Sequence, residues 1–363
     1  YIVYTRIENN GFDNGILVSD SSFTKQNLLP GIIYSFKVTA VNDGGESFPS
    51  EILSVCWQKE NPEPVLIING FDRISGPQIV DTDAFRGFVD FLDAGVPDRY
   101  DLSHVGSQYD FTPYSRWSDD DSPGFGSSYA DQESNIIPGN TFDFSFIHGE
   151  AIRNLGMSFV SASDESIEDG DVTIDKYRFI DLILGEEKKT IRPKNEDKTD
   201  FCIYPDSLQK HLSSFCKAGG NLFISGAYVG TDVFIQSPVD SMDIKFARGT
   251  LKYFHRTNHA VKNGNVFVSD SGFSQILTDL KFNTSYHKTM YTVEAPDAIE
   301  PADALARTIF RYTENNMSAA VAYDGTYKVV IFGFPFETII DTDERNRAMQ
   351  AIFKFFIPDP TAE

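Results

Sequence analysis

Short apolar runs, each ended by glycine or by polar residues, constrain the fold of this chain most strongly. They recur after residue 64 and read VLIING, MSFVSAS, RFIDLILGEE, NLFISGAYVG, NVFVSDSG and KVVIFGFPFE. Runs of this length without polar alternation are typical of strands buried on both faces of a parallel sheet. The sequence therefore predicts a buried central sheet built from several of these runs.

Helical patterns separate some of the runs. The clearest is YPDSLQKHLSSFCKAGG, in which Asp206 or Ser207 is the expected N-cap and Leu208, Leu212 and Phe215 share one face. DERNRAMQAIFKFF predicts a final helix, whereas RTIFRYTENNMSAAVAYDGTYKVVIFGF alternates without a helix and predicts antiparallel strands at one edge. Strands that alternate with helices predict an α/β fold with a doubly wound sheet.

The first 57 residues follow another pattern. YIVYTRI alternates as a strand does, and so does the stretch from Tyr34 to Ala40, where aromatic and aliphatic side chains take every second position. QKENPEP, residues 58–64, is polar and contains proline, which is typical of a linker. The predicted organisation is a β-rich module at 1–57, a linker at 58–64 and an α/β domain at 65–363.

Charge and cysteine usage exclude several classes of function. The chain has 53 acidic and 31 basic side chains, which gives a net charge of −22. Proteins that bind phosphate backbones do so with clustered Lys and Arg, so no nucleic-acid partner is expected. No run reaches the roughly 20 apolar residues of a membrane span. Cys56, Cys202 and Cys216 form no CxxC pair, so buried free thiols are favoured over a zinc site or a Cys202–Cys216 disulfide.

The stretch LLPGIIYSFKVTAVNDGGESFPSE resembles fibronectin type III domains. The resemblance rests on Leu28 or Leu29 before Pro30 and Gly31, on Tyr34, and on the run from Gly44 to Ser50. It implies that the strand at Tyr1 corresponds to the third of seven strands in that sandwich. We therefore expect the chain to be a fragment of a longer protein, with the missing N-terminal domains of that protein as its partners.

The larger part resembles the class I glutamine amidotransferase-like group of flavodoxin-like folds. At the level of the whole sequence it is similar to the C-terminal part of large secreted Bacteroidetes proteins labelled xanthan lyase or golvesin-like. The similarity rests on VLIINGFDRISGP, GNTFDFSFIHGEAI, IDLILGEE, GGNLFISGAYVGTDVF and VVIFGFPFETI. It implies a secreted or periplasmic location and an amidase-like or lyase-like catalytic region outside this chain.

The amidotransferase triad has no counterpart here. That chemistry needs a Cys nucleophile at the turn after a central strand and a His-x-Glu pair near the last strand. Ala227 and Tyr228 occupy the turn, and the stretch from Phe334 to Glu337 contains no histidine. Ser225 does not lie in a G-x-S-x-G motif, so a serine that ends a buried strand is favoured over a nucleophile.

Ligands of open α/β sheets bind beyond the carboxyl ends of the strands, so the polar residues there are the candidate site. Glu187, Asp232 and Glu337 are the candidate catalytic acid and base residues, although solvated or helix-capping carboxylates are the simpler interpretation. The expected binding residues at the rim are Asn69, Arg73, His148, Glu186, Ser225 and Tyr228. His148 follows the FDFSFI run; with Glu150 it lacks a third metal ligand, and His255 and His259 are expected at the surface.

Residues 109–140 form the most unusual segment, rich in Asp, Ser, Gly, Pro and aromatic residues without periodicity. Long loops of this kind are usually functional or disordered. Trp117, with Tyr114, Tyr129 and the run Asp119–Asp121, fits a sugar-facing platform, and an ordered surface loop is the alternative.

These features favour an accessory binding or spacing region of a secreted polysaccharide- or cell-wall-acting protein, without a cofactor or metal. The alternative is a glycan- or peptidoglycan-directed hydrolase or lyase that uses the rim carboxylates. A third possibility is a purely structural role, which an exposed apolar patch on the side of the N-terminal module would favour.

Overall fold

The computed structural model describes residues 1–46, 49–71, 79–81, 86–88, 143–191, 199–200, 202–236, 238–285, 287, 290–293 and 295–357. The segment 109–140 lies outside the described residues.

The described strands are short, as expected for glycine-bounded runs. In chain order they are β1 (Ile2–Ile7), β2 (Ile16–Leu17), β3 (Ile33–Thr39), β4 (Val41–Asn42), β5 (Gly45–Glu46), β6 (Leu53–Cys56), β7 (Pro64–Asn69), β8 (Ile79–Asp81), β9 (Arg86–Phe88), β10 (Ser158–Ser163), β11 (Phe179–Gly185), β12 (Thr190–Ile191), β13 (Thr199–Asp200), β14 (Asn221–Gly226), β15 (Tyr253–Thr257), β16 (Asn265–Val268), β17 (Asp279–Lys281), β18 (Ala298–Pro301), β19 (Ala306–Tyr312), β20 (Ser318–Asp324) and β21 (Lys328–Phe332).

The described helices are α1 (Phe144–Asn154), α2 (Asp164–Glu168), α3 (Asp206–Lys217), α4 (Thr231–Phe234), α5 (Ser241–Phe246) and α6 (Thr342–Phe356). A π-helical turn at Ala247–Leu251 follows α5, and 3₁₀ turns lie at Phe273–Gln275 and Phe336–Thr338. Among the described residues, none of these helices is long and apolar enough to span a bilayer.

Within the described ranges, thirteen strands form one mixed sheet in the order β17-β16-β19-β20-β21-β14-β11-β7-β10-β6-β3-β1-β2. Its centre is parallel: β10, β7, β11, β14 and β21 all run in the same direction. Numbered along the chain, these five strands have the order 2-1-3-4-5, which is the flavodoxin-like order. The prediction of an α/β fold is confirmed, and so is that of antiparallel strands at one edge, formed by β19 and β20.

Alternate side chains of the central strands fill two hydrophobic cores, one on each face. Val65 and Ile67 of β7 lie in the first core, with α1 and α6, while Leu66 and Ile68 lie in the second, with α3. The predicted face of α3 is buried, since Leu208, Leu212 and Phe215 have at most 2% exposure. The predicted cap is wrong, because Asp206 is already helical and Pro205 holds the N-cap position without a side-chain bond.

The strands β2, β1, β3 and β6 extend the central sheet through the pairing of β6 with β10. One face of β3 and β6 packs against α1, and the Ser145 hydroxyl of α1 donates to the Ile52 carbonyl at 2.7 Å. Arg6 donates to Asp143 at 2.7 Å, and Arg153 donates to Glu8 at 2.7 Å. The strands β2, β1, β3 and β6 and the α/β part are thus joined by a shared sheet and by contacts with α1. The strands β4 and β5 form a separate two-stranded sheet, and the fibronectin-like sandwich stays a prediction.

Residues 144–147 of the FDFSFI run begin helix α1, and His148 lies within this helix. Gly149 fits there because a Cβ at this position would lie 2.1 Å from the Phe159 ring. Because of this close packing, α1 lies directly against β10. His148 therefore lies above the middle of the sheet and not at the end of a strand.

Candidate functional site

A row of residues at the carboxyl ends of the parallel strands forms the base of the candidate site. In register across the sheet these residues are Ser163, Asn69, Ile183, Ser225 and Phe332. Residues paired in register project to the same face, and this face is the one covered by α1 because Ile183 and Phe332 belong to the first core. Asp181 lies on the same face, two residues before Ile183.

His148 is the centre of a buried network on this face. Its Nδ1 lies 2.8 Å from Asp181 Oδ2, and its Nε2 lies 3.2 Å from Glu337 Oε2. The other oxygen of Glu337 accepts a hydrogen bond of 2.8 Å from the Tyr291 hydroxyl. The exposure of His148, Asp181, Glu337 and Tyr291 is at most 2%, so the network links α1, β11 and the turn after β21 without access to solvent.

The two carboxylates determine the charge of this histidine. Burial alone would lower the pKa of His148, but Asp181 and Glu337 together raise it to about 9. Burial raises the pKa of Asp181 above its ordinary value, although His148 opposes that shift. At neutral pH His148 is therefore an imidazolium that donates from both ring nitrogens, one to each carboxylate.

Aromatic rings enclose the network. The Phe336 ring centre lies 4.6 Å from the His148 ring, edge to face. Phe71, Phe144 and Tyr291 form a second group, with ring centres 5.3 to 5.8 Å apart. Apolar surroundings strengthen the interaction between the charges and make any unpaired charge costly.

The switch point of the sheet lies between β7 and β11, where the strand order reverses. Gly185 ends β11 with φ of 49°, and a Cβ there would lie 2.1 Å from Phe71 Cδ1, so this position requires glycine. Asn69 ends β7, and its side-chain amide donates to Glu51 Oε2. Glu186 and Glu187 follow Gly185 and are 4% and 2% exposed.

Asp232 belongs to a different network. Its Oδ1 accepts from the Lys189 amide at 2.6 Å, and its Oδ2 accepts from the Ile203 amide at 3.3 Å. Burial raises the pKa of Asp232 to about 6, although the Lys189 charge and both amides oppose the rise. The adjacent Val233 lies in the second core, so Asp232 and Glu337 lie on opposite faces of the sheet.

Asp297, which was not among the predicted site residues, stabilises the turn after β14. Asp297 accepts hydrogen bonds from the amides of Gly230 and Thr231 at 2.7 and 2.6 Å. His255 Nε2 lies 3.5 Å from Asp297, with its side chain 7% exposed. The expectation that His255 lies at the surface is therefore wrong, whereas His259 is exposed as expected.

The predicted site residues thus fall into separate environments. The structure brings together His148 and Glu337, and it holds Asp232 apart from them. Tyr228 is 3% exposed, with the Lys188 ammonium 5.0 Å from its ring centre, and Ser225 is fully buried with no hydrogen bond for its hydroxyl in the described structure. Arg73 and Trp117 lie outside the described residues.

Burial contradicts the simpler interpretation of the carboxylates as solvated groups, because Glu186, Glu187, Asp232 and Glu337 are at most 4% exposed. Within the described part of the chain, no cluster of three or more His, Cys, Asp and Glu side chains could hold a metal ion. The cysteines are free thiols, with Cys56 and Cys216 buried and Cys202 half-buried.

Sequence reasoning missed Asp181 and Tyr291. Asp181 had a detectable signal, because it is the one charged residue of FIDLILG, a strand that is buried throughout. A charge within such a strand requires a partner of opposite charge. Tyr291 had no comparable signal, since those of its neighbours that the structure describes belong to no helix or strand.

Comparisons with solved structures give distant neighbours of this chain. No protein-family model matches the chain, and no curated protein matches its sequence. Similar solved structures include a ThuA-like protein from Bacteroides uniformis, with 10% identity and a TM-score of 0.38 over 59% of this chain and 83% of that one. A GMP synthase component from Thermoplasma acidophilum has 9% identity and a TM-score of 0.35 over 60% of this chain and 91% of that one.

A third neighbour is an exo-β-1,4-mannosidase from an Opitutaceae bacterium, with 12% identity and a TM-score of 0.37. The match covers 62% of this chain and 34% of the mannosidase, so this chain spans about a third of that enzyme.

Proposed function

We propose that this chain is a non-catalytic accessory region that binds or spaces other parts of a secreted or periplasmic protein acting on polysaccharide or cell wall. The glycan component rests on the sequence similarity to secreted Bacteroidetes proteins labelled xanthan lyase or golvesin-like. The partners in this proposal are N-terminal domains of the same protein and a glycan or peptidoglycan fragment.

The non-catalytic proposal rests on the hydrogen bonds that Asp232 and Glu337 accept from other groups inside the protein. Each carboxylate oxygen of these two residues accepts a hydrogen bond from inside the protein. The residues also lie on opposite faces of the sheet. A glycosidase acid and base must instead flank one bond of the substrate, with their carboxyl groups roughly 5 to 10 Å apart.

The His148 network supports the same conclusion. A general base needs a nitrogen or oxygen within reach of the substrate proton. Both ring nitrogens of His148 are engaged by carboxylates, and its ring has no exposed surface. The network therefore fits a structural role, in which it links α1 to the sheet, better than proton transfer to or from a substrate.

A binding screen with parallel product analysis tests this proposal. The chain would be titrated with oligosaccharides of plant and bacterial polysaccharides and with peptidoglycan fragments, and each mixture would be examined for new reducing ends or cleaved peptides. Binding without turnover supports the accessory role.

Turnover that Glu337→Gln or Asp232→Asn abolishes would restore the hydrolase alternative. Glu60→Gln is a matched control, because Glu60 is exposed and lies in the predicted linker. If the chain shows neither binding nor turnover, glycan recognition is contradicted. Of the accessory roles proposed, only that of a spacer would then be left.

A further inference from the structure

A cavity of ≈ 660 Å³ lies at the amino ends of three parallel strands, on the edge of the sheet opposite to the candidate site. Pro64 and Phe179 are the first residues of β7 and β11, and Met157 directly precedes β10. The carboxyl ends of these strands lie roughly 15 to 20 Å away, given the usual rise per residue of a strand. The lining of the cavity shares no residue with the His148 and Asp232 networks.

Hydrogen bonds hold the two chain segments that border this cavity. Before β7, the Asn61 side-chain amide donates to the Gly156 carbonyl at 2.8 Å, and the Asn61 carbonyl accepts from the Ser158 hydroxyl. Before β11, the Arg178 carbonyl accepts from the Asn221 backbone amide at 3.1 Å. A cavity with fixed walls loses little conformational entropy when a ligand binds.

Two cations border the cavity without a carboxylate partner. The Lys176 ammonium lies 5.1 Å from the Tyr177 ring centre, and the Arg178 guanidinium carbon lies 5.0 Å from the Phe179 ring centre. Neither cation forms an ion pair within the described part of the chain. Glu63 is the one carboxylate among the described residues that line the cavity, so the lining has an excess of positive charge although the chain has a net charge of −22. Charge complementarity therefore favours an anionic ligand.

The rest of the lining narrows the chemistry of this anion. Pro62, Met157 and Ile357 contribute apolar surface, against which the C–H groups of a sugar ring pack, while Asn61 and Glu63 contribute oxygen acceptors for hydroxyl groups. The volume lies within the range of small-molecule sites, roughly 300 to 1,000 Å³, whereas peptides bind along a sheet edge or an extended groove. Together these features favour a sugar that carries a carboxylate.

We propose that this cavity binds saccharides through the carboxylate of a uronic acid residue, with Arg178 and Lys176 as the groups that contact the carboxylate. A guanidinium donates two parallel hydrogen bonds to a carboxylate, and the ammonium adds a second positive charge. The inference rests on the proposed function in taking the ligand to be a saccharide, and it adds a location and a charge requirement. It does not depend on the state of Asp232 and Glu337.

Binding of matched acidic and neutral sugars tests the proposal. Tetramers of galacturonate, glucuronate and mannuronate would be titrated into the chain by calorimetry, with the fully methyl-esterified tetramers as neutral controls. At least one acidic tetramer should bind about tenfold or more tightly than its ester, and this preference should shrink as salt is added. Equal affinity for acid and ester, or no binding of any acidic tetramer, would overturn the proposal.

Substitution of the two cations locates the site. Lys176→Gln with Arg178→Gln should weaken binding of the acidic tetramer by about tenfold or more. The control, Arg256→Gln with Lys262→Gln, removes the same charge outside the cavity and should change the affinity by less than about twofold. All four side chains are exposed, so both double variants should retain the fold. Unchanged binding in the first double variant, or an equal loss in both, would contradict the assignment.

Two further outcomes separate the alternatives. Succinate at the concentration of the tetramer should not displace it, and displacement would show a simple anion site and overturn recognition of a sugar. Binding of neutral oligosaccharides alone would overturn this inference and leave the accessory role in place. Cleavage of a bound acidic tetramer would overturn the accessory role and support the site.

Discussion

His148 Nε2 lies 3.2 Å from Glu337 Oε2, so a helix residue and a turn residue 189 positions apart in sequence share a buried charge. Asp181 binds the other ring nitrogen at 2.8 Å. The imidazolium ties α1 to both the middle and the end of the sheet, and α1 in turn packs on the N-terminal strands. The network therefore links the stability of the two parts of the molecule.

The stability of the protein should fall at alkaline pH. The folded pKa of His148, about 9, is above the ordinary value of 6.5, so its contribution is fully present below pH 6.5 and is lost as pH rises through 9. Urea unfolding between pH 6 and pH 9.5 should show a decreasing free energy of unfolding. His148→Gln should flatten this dependence, and an identical slope in both proteins would contradict the assignment.

Glu337→Gln should destabilise the fold by about 3 kcal/mol at pH 7, because it removes one charge from a buried ion pair. The amide retains the size of the carboxylate, so the loss reports charge more than volume. Denaturant midpoints for wild type, Glu337→Gln and Glu60→Gln would measure it. If Glu337→Gln lowers the free energy of unfolding no more than Glu60→Gln does, the ion pair between Glu337 and His148 contributes nothing to stability.

Gly185→Ala should lower the free energy of unfolding for two separable reasons. The backbone has φ of 49°, and the new Cβ would lie 2.1 Å from the Phe71 ring. Gly156→Ala is the matched control, because Gly156 has φ of 76° and open space around its Cβ position. We expect a loss of about 1 kcal/mol for the control and about 3 kcal/mol for Gly185→Ala. Equal losses would show that Phe71 moves aside.

Arg6→Ala should loosen the contact between the N-terminal strands and α1. The guanidinium donates to Asp143 at 2.7 Å and to the Ser35 hydroxyl at 3.0 Å, and it lies over the Phe146 ring. Hydrogen exchange should become faster in β1 and at the start of α1, with a loss of stability of about 2 kcal/mol. Lys25→Ala, outside this contact, should leave exchange in α1 unchanged.

Much of the central sheet could be predicted from the sequence because its strands are short apolar runs with clear ends. VLIING became β7 and NLFISG lies in β14, as their lack of polar alternation indicates. The helix that begins at Phe144 could not be predicted as easily, because alternating aromatic and polar residues also fit a strand. The close approach of Gly149 to Phe159 is a contact between distant segments, which no local pattern encodes.

The candidate site was harder to predict than the fold. The carboxyl ends of the strands locate the rim, but sequence gives neither the face nor the depth of a side chain. Glu337 and Asp232 have similar positions after their strands, and the structure places them on opposite faces. The link of His148 to Asp181 depends on the helix crossing the sheet, which no local pattern encodes.

Turnover measured on the same substrate panel tests the central claim, that Glu337 and Asp232 are engaged in internal hydrogen bonds and do no chemistry. Reducing-end and peptide release would be compared for wild type, Glu337→Gln, Asp232→Asn and Glu60→Gln at equal, folded concentrations. We predict no release above background for any of the four proteins. Release by wild type and Glu60→Gln that is lost in Glu337→Gln or Asp232→Asn would contradict the account.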